Sequence, residues 1–181
     1  MAACLTRSQT AAGIVRPSRF GWFGLTGDET AVESVVFGYA SAREARLKLG
    51  EPHEPPEEEV PELLRLTADR ISAYLEGEPV DLSGIPVRSG RRTTFQTRVE
   101  QALRKVGYGE TVSYAELADR AGAPRAARAV GTVMSSNRLP LLIPCHRVVG
   151  AGGRLGGFSA PRGLEMKREL LEMESVAGLR R

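Results

Sequence analysis

The sequence predicts a two-domain protein, with a small α/β N-terminal domain (sheet plus helix) packed on a mainly α-helical C-terminal domain that carries a winged-helix-like helix-turn-helix. Three observations predict it. Two apolar runs flank a Gly-Asp turn early in the chain, Pro-, Glu- and Gly-rich segments interrupt the middle, and the second half carries apolar residues at helical spacing around a tight Gly-Ala-Pro turn. The 181 residues suffice for one large domain or two small ones with a real core.

The elements follow in order. MAACLTRSQTAAGIVRPSRFGW holds Arg and small residues without a continuous apolar segment, so residues 1–19 read as a flexible leader and not as a signal peptide. Residues 20–90 read as the small α/β domain and its linker. Within them, FGWFGLTGDETAVESVVFGYAS predicts a β-hairpin, SAREARLKL a short helix and EPHEPPEEEVPE an exposed connection. PELLRLTADRISAYLEG places Leu63, Leu64, Ile71, Tyr74 and Leu75 at helical spacing, and VDLSGIPVRSGRRT is a linker with the boundary near Gly90.

Residues 91–181 are more regular. Phe95, Val99, Leu103 and Val106 mark the buried stripe of a first helix. Ser113, with Glu116 three residues on, is a capping box that starts a second. Gly122-Ala123-Pro124 then leads to a third helix, about Arg125 to Ser136, and the pair reads as a helix-turn-helix. Arg125, Arg128, Thr132 and Ser135 share one face of the third helix, while Ala127, Ala129 and Gly131 keep it slim enough to approach a groove. Small residues packing on a neighbouring helix explain that slimness equally well. Leu141 to Ile143 read as a buried strand or extended run stopped by Pro144, and GLEMKRELLEME is a final helix with Leu164, Leu170 and Leu171 inward.

Charge is divided unevenly. Residues 1–90 carry 9 Lys and Arg against 14 Asp and Glu, while residues 91–181 carry 16 against 8, so a net +3 conceals −5 and +8. A polyanion-binding surface is therefore expected in the second half. No apolar run approaches the ~18 residues of a membrane span, and a cytoplasmic protein is expected. Two cysteines, Cys4 and Cys145, cannot make a disulfide framework, and Cys145 is expected to be a free thiol. Cys4 and His53 are too few for a structural metal site, so no metal and no organic cofactor are expected. Lys167 reads as a solvated or locally paired helix residue.

The chemistry concentrates in LLIPCHRVVG. A thiol acts as a nucleophile through its thiolate, so it needs a nearby base or cation to bring its pKa down from about 8.5. His146 stands beside Cys145, although adjacency alone fits a buried inert cysteine next to a structural histidine better. Glu174, three and four residues after Leu170 and Leu171, falls near the buried side of the last helix and needs a partner there, whereas Glu172 faces away. A relay from Cys145 to His146 to Glu174 would supply a base and the group that orients it.

The segments YGETVSYAELA, ARAVG, Asn137, IPCHRVVG, GGFS and KRELLEME, spread from about Phe95 to Glu174, resemble the methylated-DNA–protein-cysteine methyltransferase family, the O6-alkylguanine-DNA alkyltransferases. IPCHRV is specific to that family; residues 20–80 match its variable α/β domain only weakly. The resemblance implies transfer of an alkyl group from O6-alkylguanine in double-stranded DNA, with O4-alkylthymine a second candidate lesion, irreversibly onto Cys145. It implies His146 as base through a bridging water, Glu174 orienting it, and Asn137 tying the helix-turn-helix to the active-site turn. Tyr114 would press on the phosphate of the target nucleotide and contact the base, and Arg128 would fill the gap left by the flipped guanine. Ala127 and Ala129 would line the minor groove, and Val148, Gly156, Phe158 and Ser159 the base pocket. A monomer is expected.

The chain departs from the family pattern at Glu100, where an aromatic residue is common, in VGYGE for IPYGE, at Arg138 for Pro, and at Phe158 for Tyr. These bear on substrate range and rate, not on reaction type. Three rivals remain. An alkyltransferase-like protein binds the lesion without transfer, but such proteins replace the reactive cysteine. A transcriptional regulator would leave IPCHRV unexplained, and a cysteine hydrolase would leave the DNA-binding elements so.

Overall fold

The computed structural model describes residues 11–178, with side chains to 175. The N-terminal half is a three-stranded antiparallel sheet, β1 (Ala12–Ser18), β2 (Gly21–Gly27) and β3 (Val32–Tyr39), in that spatial order. Helices α1 (Ala42–Leu49) and α2 (Glu62–Leu75) follow. β1 corrects the expected leader over its second half, while Cys4 and residues 1–10 lie outside the described residues. The strand escapes pattern reading because it is an edge, where Pro17 breaks no ladder bond that the fold needs and Ile14 pairs with Leu25.

The two faces of the sheet are covered differently. A Cβ on Gly24 would stand 2.7 Å from Leu49 Cδ1, so its missing side chain lets α1 lie close. Phe23 and Leu25, on the opposite face, are fully buried in one cluster with Leu64, Ala68 and Ile71 of α2. The free edge of β3 is tied to the rest of the chain by Val32 N–H to Pro86 O at 3.0 Å and Val35 N–H to Arg138 O at 2.9 Å.

The C-terminal half is mainly helical, with α3 (Thr94–Leu103), β4 (Val112–Ser113), α4 (Tyr114–Arg120), α5 (Ala127–Ser135), β5 (Val148–Val149) and α6 (Gly163–Gly178). The capping box at Ser113 and Glu116 is formed, and Thr93 and Gln96 make another on α3. α4 and α5 form the helix-turn-helix. Arg125 lies outside α5 at φ 73, so the third helix starts later than its sequence suggests and only Arg128, Thr132 and Ser135 share its exposed face.

Two further expectations are corrected. Leu141 to Ile143 form turns, not a strand, with Leu141 at φ 71. The inward side of α6 is Met166, Lys167, Leu170, Met173 and Glu174, while Leu164 is 44% exposed. The stripe takes in Lys167 beside the expected Glu174, each with buried hydrogen-bond partners, and leaves Leu164 outside it. Buried apolar residues from Ile14 to Met173 form one continuous cluster, so the halves share their core. No described helix is long and apolar enough to cross a membrane.

Candidate active site

The parallel pairing of β4 with β5, Val112 opposite Val148 and Ser113 opposite Val149, places the start of the helix-turn-helix beside the chain that carries Cys145. Tyr114 follows β4 directly, and Cys145 to Arg147 form a single 3-10 turn just before β5. Asn137 holds this turn. Its Nδ2 donates to Ile143 O at 2.8 Å, and its Oδ1 accepts from Leu139 N–H at 3.0 Å, bridging the end of α5 to the turn. Such a clamp keeps Leu141 in its left-handed conformation, which a branched side chain otherwise avoids.

Cys145 is 7% exposed and free of any disulfide. Burial pushes its thiol pKa up, against the lowering effects of its Asn137 hydrogen bond and the Lys167 charge. At neutral pH it is therefore a thiol, and generating the thiolate requires a proton acceptor at hand. His146, the next residue along the turn, is 1% exposed. Its Nε2 is 3.1 Å from Glu174 Oε1, and its buried Nδ1 has no protein hydrogen-bond partner.

Glu174 is fully buried and surrounded by donors. Oε1 accepts from the Tyr74 hydroxyl at 2.6 Å and from Arg147 Nη2 at 2.7 Å, and Oε2 from Arg147 Nε at 3.1 Å and Gly109 N–H at 3.2 Å. Burial alone would raise its pKa. The hydrogen bonds and charges of His146 and Arg147 outweigh burial and bring it to about 2. Arg147, a permanent cation, holds Glu174 ionised whether or not His146 carries a second proton. Burial lowers the pKa of His146 despite Glu174 beside it, which favours the neutral ring that a base must be.

Three members of this network went unread in the sequence. Arg147 resembles an ordinary surface cation, yet it bonds Glu174 and, through Nη1, Val106 O at 2.7 Å. Tyr74 reads as one apolar position of α2. Lys167, expected to be solvated or locally paired, is fully buried, and its Nζ donates to Val148 O at 2.6 Å and lies 3.5 Å from Gly156 O. It thereby ties β5 to the loop beyond it, which is why a lysine tolerates that burial. A buried charge could have been suspected only for Glu174, whose spacing from Leu170 already implied it.

The remaining candidates divide into two groups. Gly156 lies against Tyr114, where an added Cβ would come 2.6 Å from Oη, so only glycine admits the ring there. Val148 is buried in β5. Phe158 is half-buried and packs on Phe37 of β3 with centroids 6.1 Å apart, while the exposed Ser159 lines a cleft of about 390 Å³ with Asn137 and Phe158. Cys145, His146, Glu174, Asn137 and Tyr114 thus form one neighbourhood that Val148 and Gly156 join. Arg128 and Ala129 are exposed and Ala127 is half-exposed on α5, whose Gly131 faces the Tyr114 ring. Among the described residues no group of His, Cys, Asp and Glu could hold a metal ion.

The family model described as "6-O-methylguanine DNA methyltransferase, DNA binding domain" matches residues 94–176. A methylated-DNA–protein-cysteine methyltransferase of Methanosarcina acetivorans is 36% identical over 151 residues, covering 83% of this chain and 89% of that protein. The chain belongs to this family. The methyltransferase of Mycobacterium tuberculosis is 48% identical over 107 residues, and the match spans 62% of that protein's length. A crystal structure of the Mycobacterium tuberculosis family member OGT in complex with DNA superposes with a TM-score of 0.71 at 34% identity, covering 92% of this chain and 94% of that one. A Pyrococcus kodakaraensis methyltransferase at 23% identity shares the fold, with a TM-score of 0.61.

Proposed function

We propose that the protein repairs DNA by moving an alkyl group from O6-alkylguanine onto Cys145 in a single turnover. The observation that carries this reading is the arrangement at Cys145. A buried thiol adjoins a histidine whose Nε2 is tied to an ionised carboxylate at 3.1 Å, while its Nδ1 has no protein partner. In the proposed reaction His146 takes the thiol proton through a bridging water. The sulfur attacks the alkyl carbon, the carbon–O6 bond breaks with its electron pair leaving on the guanine, and the guanine takes up a proton in place of the one the thiol gave to His146. A thioether remains. No residue of the site offers a route back to the thiol.

An O6-alkyl group lies within the stacked duplex, so the nucleotide must rotate out at a cost of a few kcal/mol. Arg128, exposed on α5, is assigned to the space it leaves, where a guanidinium can stack and hydrogen-bond to the orphaned base. The slim face with Ala127 and Ala129 suits the minor groove, and contacts there fall mainly on phosphate and sugar because repair must act at any sequence. Tyr114, Val148, Gly156, Phe158 and Ser159 are assigned to the flipped base, and the protein to action as a monomer. The mycobacterial OGT seen with DNA supports DNA as the partner.

Intact mass after mixing with a duplex containing O6-methylguanine tests the reading. A gain of one methylene on the peptide containing Cys145, absent in Cys145→Ser, is expected. Tight lesion binding without any gain would make this a damage-recognition protein instead.

A further inference from the structure

We propose that Tyr74, contributed by α2 of the N-terminal half, is a positioning residue for alkyl transfer. By donating its hydroxyl proton to Glu174 it fixes the carboxylate, and with it the His146 ring, so that Nδ1 is the atom presented for the thiol proton. The inference rests on the alkyl-transfer reading above.

The geometry is that of three mutually bonded groups in a water-excluded interior. Tyr74 is fully buried, and its Oη lies 2.6 Å from Glu174 Oε1 and 3.1 Å from His146 Nε2, while Nε2 lies 3.1 Å from Oε1. The phenol has one proton, and the shorter distance assigns it to the carboxylate. Two acceptors then face Nε2, the carboxylate oxygen and a phenol lone pair. Nε2 must therefore carry the imidazole proton, which leaves the lone pair of the neutral ring on Nδ1.

A plainer role, in which a core tyrosine finds a partner for its hydroxyl, accounts for less. Glu174 already has the Arg147 guanidinium and Gly109 N–H, so Tyr74 is not needed to neutralise it. The ring would fill its place on α2 equally well as phenylalanine. Its orientation is also fixed from outside the triad, because Tyr108 packs edge-on against it with centroids 5.8 Å apart at 81°. What the hydroxyl adds is a constraint on Oε1, the atom that also holds His146.

Charged and titratable groups reach His146 from each neighbouring element: Glu174 and Lys167 from α6, Arg147 and Cys145 from its own turn, and Tyr74 from α2. Removing the hydroxyl takes one donor from Oε1. More of the carboxylate's charge then acts on the imidazole, which favours the imidazolium and leaves less of the ring neutral on the acid side.

The test is single-turnover transfer from an O6-methylguanine duplex to the full-length protein across the pH range, wild type beside Tyr74→Phe, with duplex binding and thermal melting in parallel. Tyr74→Phe is expected to slow transfer about tenfold at neutral pH, the scale of one hydrogen bond to a charged group. Duplex affinity should stay within about twofold, and the acid limb of the rate profile should move to higher pH. A profile that superposes on that of the wild type overturns the proposal. A second measurement needs no variant. With two histidines in the chain, the imidazole ¹⁵N spectrum of the wild type is readily assigned, and the proposal requires His146 to carry its proton on Nε2. Protonation on Nδ1 overturns it even if Tyr74→Phe does not fold. A wild-type protein that takes up no alkyl group sinks the underlying reading, whereas a transferring wild type matched by Tyr74→Phe sinks only this one.

Discussion

Replacing Glu174 with Gln keeps the shape of the side chain and removes its charge, which makes the buried network measurable. The carboxylate accepts from Tyr74, His146, Arg147 and Gly109, and none of these donors can turn away. In the variant one oxygen becomes an NH₂ group facing donors, and Arg147 remains a buried cation without its anion. Lowering the Glu174 pKa from the ordinary 4.5 to about 2 corresponds, at about 1.4 kcal/mol per pH unit, to roughly 3 kcal/mol of native-state stability. Loss of that amount lowers Tm by about 10 °C in a chain of this size. The sign is fixed by the direction of the pKa change. A depressed carboxylate stabilises the fold above pH 4.5, and that stability is lost as pH falls from 4.5 towards 2. Urea unfolding of both proteins at several pH values should therefore show a gap of about 3 kcal/mol at pH 7 that closes in acid. A constant gap, or one below about 1 kcal/mol at pH 7, would refute the assignment of Glu174 as an ionised, fully bonded anion. Alkyl transfer should slow in the same variant while duplex binding holds.

Arg128→Ala is expected to weaken repair of duplex DNA at least about tenfold more than reaction with free O6-benzylguanine, because only the duplex has a gap to fill; equal losses in both assays argue against the insertion role. Gly156→Ala places a Cβ 2.6 Å from Tyr114 Oη, so the ring must shift, and transfer of a benzyl group should fall more than transfer of a methyl group. Competition between the two substrates reads this directly, and an unchanged ratio contradicts it. The wild-type rate should hold from about pH 8 down to about 6.5 and decline below, since a base acts when unprotonated and burial sets the His146 pKa under its ordinary 6.5. A decline already complete at pH 7 would show that a different group titrates.

Local signals were legible in the sequence because their causes are local. The capping box at Ser113 needs only a partner three residues away, and the hairpin needs only alternating apolar runs and a turn. Glu174 was legible at one remove, through its spacing from Leu170. Arg147, Lys167 and Tyr74 were not. Each is bonded to groups far along the chain, with Tyr74 meeting Glu174 across 100 residues, and no periodicity reports which charged side chain will find a buried partner. Leu164 failed for the complementary reason, because an apolar residue near a helix end can face water at little cost. The edge strand β1 was missed because an exposed edge tolerates the Arg and Pro that a central strand would exclude.

The condition of Cys145 at rest bears on how long such a molecule lasts. Oxidants and stray electrophiles attack thiolates that solvent can reach. Cys145 is 7% exposed, and burial keeps its proton on, so it is a poor target for peroxide or glutathione adducts. Under the proposed single-turnover reaction, a protein used once gains from keeping its thiol intact until then. At rest the thiol is buried and protonated, which keeps it poorly reactive. The ageing of unused protein should accordingly depend on local opening of the turn held by Asn137.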